Sequence, residues 1–197
     1  MARQGELFDQ GGLDSPMEWP LEAPLPLLAR QLQDWQRRLA QHQSPLFRGE
    51  APTIRQQELL SADSATAAER FNPLALQPQP LSFWRWPQAP VCGAALYVVI
   101  DRPQELEQPL LLYVGETAKA EQRWKGEHDC KAYLAAYGDA LQRAGLNTQL
   151  SISFWSDVPQ QTKARRALEQ ALIRRWLPPF NKETRARWAT PFQADAV

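Results

Sequence analysis

Three patterns in the sequence predict an α/β (α+β) fold: a small mixed three-stranded sheet flanked by helices, with a helical and extended N-terminal region. Two apolar, β-rich runs, residues 94–100 (AALYVVI) and 110–115 (LLLYVG), lie either side of a polar, turn-like stretch. A third run, residues 149–155, sets Leu150, Ile152 and Phe154 against Gln149, Ser151 and Ser153, the alternation of a half-buried strand. Helical spacing of apolar residues occupies much of the remainder.

Taken in order, residues 25–41 place Leu28, Leu32, Trp35 and Leu39 on one helical stripe, and a second helix is expected within 53–71. Pro73, Pro78, Pro80, Pro87 and Pro90 bar a regular helix from 72–90 and predict an extended segment laid over a surface. Its centre, 81–86 (LSFWRW), is too apolar for a free linker, so Phe83, Trp84 or Trp86 should pack on the domain that follows. The first two β-rich runs read as a long-looped hairpin. A short helix is expected within 117–126, and a longer one over 129–144 that Gly145 ends. Residues 161–176 form a last helix with Leu168, Leu172 and Trp176 on one stripe, and Pro178 and Pro179 stop it. The core order is β-β-α-α-β-α. Residues 1–20 read as a flexible tail, 21–90 as a region packing on the core, and 91–197 as the main domain.

The 197 residues hold 22 basic and 22 acidic side chains, a net charge of zero. That balance argues against a histone-like basic protein or an acidic solvating tail, though a local patch can still bind nucleic acid. Residues 1–90 carry 8 arginines, no lysine and 10 acids, whereas 158–197 carry 8 basic against 3 acidic residues. The basic face is therefore C-terminal. No apolar run approaches the roughly 20 residues of a membrane span, and residues 1–10 lack the apolar stretch of a secretory signal. Cys92 and Cys130 show no metal-ligand spacing; both are expected as small core residues of a protein in the reducing cytoplasm.

Tyr97 and Tyr113 sit on the two hairpin strands, and Gly115 closes a Y-V-G. Arg123 follows that glycine by eight residues, and residues 169–181 read E-x-x-L-I-x-x-x-x-P-x-x-N from Glu169 to Asn181. In this order and spacing the set resembles the GIY-YIG nuclease family, with residues 96–98 (LYV) at the first tripeptide and 113–115 (YVG) at the second. The glutamate-to-asparagine spacing is similar to that of the excision-repair incision nucleases. The resemblance covers residues 94–181. Ala95 and Leu96 replace the first motif's glycine and isoleucine. Glu116 stands where some members carry lysine. His128 is offset by one residue from a tyrosine or histidine found in many members.

The resemblance implies a metal-dependent DNA endonuclease. Arginine supplies a planar, permanently charged fork for phosphate oxygens, the part assigned to Arg123. Glu169 would be the protein carboxylate on Mg2+ or Mn2+, since such ions bind through one or two carboxylates plus waters and phosphate. A tyrosine near an arginine and a cation can have its pKa lowered enough to serve as general base. Tyr113 is assigned that role, with Tyr97 closing the site and positioning water. Asn181 would orient the glutamate or tyrosine shell, and His128 is a further catalytic candidate. Gly115 would let the backbone approach closely. Lys119, Lys125, Arg165, Arg166, Arg174 and Arg175 would contact DNA, although Arg165 also stands four residues before Glu169 as a helix ion-pair partner.

A second short motif lies at the N-terminus. Gln4, Leu7 and Phe8 form a Q-x-x-L-F that resembles the peptide by which repair proteins dock on the bacterial sliding clamp, one amide and two apolar anchors. Together these readings predict a structure-specific endonuclease of DNA repair or recombination. A non-catalytic DNA-binding or sliding-clamp-associated adaptor on the same fold is the alternative.

Overall fold

The computed structural model describes residues 26–50, 62–125 and 129–192. The elements are α1 (Pro26–Phe47), α2 (Ala62–Arg70), β1 (Gln79–Pro80), β2 (Ala95–Asp101), β3 (Leu110–Thr117), α3 (Ala120–Arg123), α4 (Asp129–Arg143), β4 (Ser151–Trp155), α5 (Thr162–Trp176) and α6 (Arg185–Trp188), with two 3-10 turns over Pro73–Ala75 and Phe83–Arg85.

The expected mixed, three-stranded sheet is corrected here. The sheet has four strands in the order β1-β4-β2-β3, and every pairing is antiparallel. The additional strand comes from the proline-rich segment, where Gln79 and Pro80 pair with Ile152 and Ser151. Proline lacks an N–H to give a ladder, and an edge strand is where that lack is tolerated.

Helices cover both faces of this sheet. On one face Leu32, Trp35 and Leu39 of α1 pack with Tyr97, Val99, Leu112 and Ile152 and with Leu134, Tyr137 and Leu141 of α4. On the other, Leu96, Val98, Ile100, Leu111 and Val114 meet Leu168, Leu172, Ile173 and Trp176 of α5 and Ala68 of α2. This three-layer arrangement explains why β2 is buried along its whole length. It also overturns the expected half-exposed β4: Ser151 and Ser153 are buried because the α2–α5 layer covers the face they were expected to present to water.

α1 runs six residues past the expected end at Gln41, through Pro45 to Phe47. Two contacts make the extra turn worth forming. Phe47 meets Trp176 edge-on at 4.7 Å, and Gln43, fully buried, reaches the free edge of β3. The Gln43 amide donates to the Leu111 carbonyl and accepts from the Leu111 N–H, each at 2.9 Å, and also donates to the Trp176 carbonyl at 3.0 Å. Further along the same edge the Phe180 N–H donates to the Leu112 carbonyl at 3.0 Å. A buried chain joins α1 to the core: Gln36 Nε2 donates to the Tyr137 hydroxyl at 2.6 Å, which donates to Asp101 at 2.7 Å.

Phe83 is buried as expected, whereas Trp84 and Trp86 are 37% and 45% exposed. Cys130 is in the core but Cys92 is exposed, against expectation. Among the described residues no helix is long and apolar enough to cross a membrane.

Replacing Gln43 by alanine strands a buried N–H and C=O on β3. We expect a loss of about 2–4 kcal/mol in thermal or urea unfolding, with exposed Arg30→Ala neutral beside it. An unchanged midpoint for Gln43→Ala would show that the edge does not need its amide partner.

Candidate active site

The hairpin register sets Tyr97 of β2 directly opposite Gly115 of β3. The tyrosine ring fills the space a side chain would take there. A Cβ on residue 115 would lie 2.4 Å from Tyr97 Cζ, 2.5 Å from its hydroxyl oxygen and 2.8 Å from Tyr113 Cε1. Glycine is thus demanded by two tyrosines closing over the backbone. Because Gly115 is buried beneath them, its expected role as a DNA contact is corrected to a packing one.

The two tyrosine rings are 5.8 Å apart, and Trp124 meets Tyr97 edge-on, also at 5.8 Å. α3 brings Arg123 to the pair: its Nε–H donates to the Tyr97 hydroxyl at 3.0 Å, and its guanidinium lies 5.8 Å from the centre of that ring. Tyr113 lies close enough to Tyr97 and Arg123 for their ionisations to be linked. Burial raises the pKa of both phenols, and each lies beside a further group that adds to the rise. Tyr97 is pushed well above its ordinary value and Tyr113 to about 12, with Arg123 pulling the other way without prevailing. The expectation of a tyrosine pKa lowered by the neighbouring arginine is therefore corrected: desolvation outweighs one cation.

Glu169 on α5 completes the group and lies close enough to Tyr113 to influence its ionisation. Burial, followed by the nearby carboxylate of Glu116, pushes Glu169 up to about 7, while the Glu116 backbone N–H and Arg166 oppose the rise. Glu116 itself is fully engaged. It accepts from Arg165 Nε at 2.9 Å and from Arg166 Nε at 3.1 Å.

Arg165 is 1% exposed and also donates to the Pro159 and Gln160 carbonyls at 3.2 and 2.9 Å. It is neither a DNA contact nor the ion-pair partner of Glu169; it locks the start of α5 to β3. Arg166 remains at the surface beside Glu169, with 68% of its side chain exposed. Arg174 and Arg175 lie five and six residues beyond Glu169, which turns them about 140° and 240° around the helix. Arg174 is exposed, and the Arg175 carbonyl contacts His42 Nε2 at 3.0 Å where α5 meets α1. Neither joins the Glu169 group. Lys119 and Lys125 are exposed on either side of Arg123.

Asn181 sits behind the site. Its side-chain oxygen accepts from the Val114 N–H at 3.0 Å and its amide donates to the Val114 carbonyl at 2.7 Å. It holds the peptide between Tyr113 and Gly115, so it orients the tyrosine side of the site through the backbone. His128, Gln4, Leu7 and Phe8 lie outside the described residues.

Sequence reasoning missed the structural weight of Glu116, which it read only as a lost lysine. The signal was parity: residue 116 shares the strand face of Val114, the face that α5 covers. Among the described residues no group of three or more His, Cys, Asp and Glu side chains is placed to hold a metal ion. Among the described residues no ion pair to Glu169 is formed, and Glu183 adds a further carboxylate nearby. Compared with known proteins, the chain matches no family model, no curated protein and no solved structure.

The sign of the Glu169 shift gives a pH prediction. Its pKa in the folded chain, about 7, lies above the ordinary carboxylate value of 4.5. The stability associated with a neutral carboxyl is fully present below about pH 4.5 and is lost as pH rises through about 7. Glu169→Gln should therefore melt higher than the natural protein at pH 8, with the difference vanishing below about pH 5. A pH-independent difference in melting temperature would contradict the placement of this carboxyl.

Proposed function

We propose that the chain is a metal-dependent DNA endonuclease that hydrolyses phosphodiester bonds, is structure-specific and acts in DNA repair or recombination in the cytoplasm. One observation carries the reading: Tyr97, Tyr113 and Arg123, three positions named by the resemblance to GIY-YIG nucleases, cluster on β2, β3 and α3, and a fourth, Glu169 of α5, lies within electrostatic reach of Tyr113. Arg123 offers a scissile phosphate a fixed positive fork whose orientation its bond to Tyr97 sets. Tyr97, buried and packed on Gly115 and Trp124, closes the floor beneath it.

The donor chemistry fits a hard divalent ion. Glu169 presents carboxylate oxygens, its charge is costly as it stands, and both oxygens of neighbouring Glu116 are already bonded to arginines. Glu169 would hold Mg2+ or Mn2+, and such an ion supplies charge neutralisation at the phosphate and an activated water. Tyr113 would serve as proton acceptor only with the charge of such an ion beside it to bring its phenol down from about 12.

A second reading, a non-catalytic DNA-binding or clamp-associated adaptor, draws on one observation. With its phenol held up to about 12, Tyr113 is no base in the unliganded site. Incubation with duplex, nicked, flap, junction and single-stranded DNA, with and without Mg2+ or Mn2+, separates the two. Metal-dependent cutting should disappear in Glu169→Ala and Arg123→Ala proteins whose circular dichroism is unchanged. Undiminished cutting by Glu169→Ala would overturn the assignment, and binding without any cutting by the natural protein would select the adaptor.

The N-terminal Gln4, Leu7 and Phe8 motif supports a sliding clamp as partner. Deleting residues 1–10 should abolish clamp retention in a pull-down while cleavage of bare DNA stays within about twofold. Full retention by the truncated chain would remove the motif from the account.

A further inference from the structure

The proline-rich segment reaches the back of the site with one residue and the solvent with its neighbours. Phe83 is buried, 5.3 Å from Phe154 and 6.4 Å from Trp124, and both of those rings lie within 6 Å of Tyr97. That anchor fixes a 3-10 turn over Phe83–Arg85, so the residues beside it are aimed outward. Trp84 and Trp86 are 37% and 45% exposed. Tryptophan carries the largest apolar side chain, and two of them left partly in water two residues apart mark a binding surface more than a packing accident.

Positive charge surrounds this turn. The Arg85 guanidinium lies 5.0 Å from the centre of the Trp84 ring, and Lys131 Nζ lies 5.7 Å from Trp84 and 5.8 Å from Trp124. Trp124 and Tyr97 are buried, so beneath the surface they join Trp84 and Lys131 to Arg123, and it is Trp84, Trp86, Arg85, Lys131 and Arg123 that reach solvent. Flat aromatic faces interleaved with cations are what an unpaired nucleic-acid strand needs: bases stack on the rings and phosphates meet the charges. A paired duplex keeps its base faces inside the helix and cannot use the rings. An acidic protein segment would use the charges but has no need of two exposed indoles two residues apart.

We infer that Trp84 and Trp86, with Arg85 and Lys131, form a stacking platform for unpaired bases of a DNA strand that passes on to Arg123. This defines the substrate class as DNA with a single-stranded segment next to the cleavage point. The direction of the strand rests on the nuclease reading, whereas the platform itself is a binding claim that stands without cutting.

The test uses the full chain in EDTA, with fluorescence anisotropy of labelled dT20 and of a labelled 20-base-pair duplex. Stacking on an aromatic side chain is worth roughly 5- to 150-fold in affinity per base. The Trp84→Ala/Trp86→Ala protein should lose at least about tenfold for dT20 and stay within about twofold for duplex. Trp84→Phe/Trp86→Phe, which keeps ring faces, should recover most of the dT20 affinity, and Lys131→Gln should weaken both ligands together.

Equal losses on dT20 and duplex, no loss on either, or no binding of dT20 by the natural protein would each overturn the platform. In the last case the two indoles are left as a protein-facing surface. A platform that behaves as stated in a protein that never cuts with Mg2+ or Mn2+ would leave this inference standing and remove the nuclease reading. Cutting of flap or junction DNA that is indifferent to the double substitution would do the reverse.

Discussion

The free edge of β3 is the constraint around which the molecule is organised. An edge strand presents unpaired N–H and C=O groups, and burying them without partners is costly. Here two side-chain amides act as a surrogate strand. Gln43 pairs both polar groups of Leu111, and Asn181 pairs both polar groups of Val114, with the Phe180 N–H between them. One amide comes from the N-terminal helix and the other from the turn after α5. The strand that carries Tyr113, Gly115 and Glu116 is thereby held by two distant parts of the chain. This is why the helix preceding the proline-rich segment belongs to the same core as the site.

Much of the architecture is readable in the sequence because local pattern and final environment agree there. β2, β3, α4 and α5 fall within a few residues of their expected bounds, and Leu32, Trp35 and Leu39 are buried together as their spacing demands. The misreadings share a cause. Pro45, Pro80, Ser151 and Ser153 have local preferences that tertiary packing overrides. Pro45 sits inside a helix because Gln43 and Phe47 have partners, and the serines are covered because a helical layer lies on each face of the sheet. The site shows the same division. The ordered spacing of Tyr97, Tyr113, Gly115, Arg123, Glu169 and Asn181 is visible in one dimension. The exchange of partners between Arg165, Glu116 and Glu169 depends on which strand face α5 covers, and no spacing rule carries that.

The electrostatics of the site follow from this exchange. Arg165 is buried where charge is costly, and Glu116 neutralises it while also engaging Arg166. Glu169, one helical turn along, is left beside a second carboxylate and away from water, so its negative form is disfavoured. The two phenols across β3 are likewise held neutral by burial. Burial thus disfavours charge on Glu169 and on both phenols, with the half-buried Arg123 on one side of β3 and the exposed Arg166 on the other, and such a site gains most from a cation and an anion arriving together.

The tight contact at Gly115 has a consequence for how the hairpin assembles. The β2–β3 ladder carries one irregularity, between Val99 and Ile100, and beyond it Tyr97 stands opposite Gly115. Sliding β3 by one place would bring Val114 or Glu116 opposite Tyr97, and either side chain would need the volume that the phenol ring occupies. Only the native alignment leaves a hole across from the tyrosine. The glycine therefore works as a key in a lock for strand pairing, rejecting misaligned hairpins sterically.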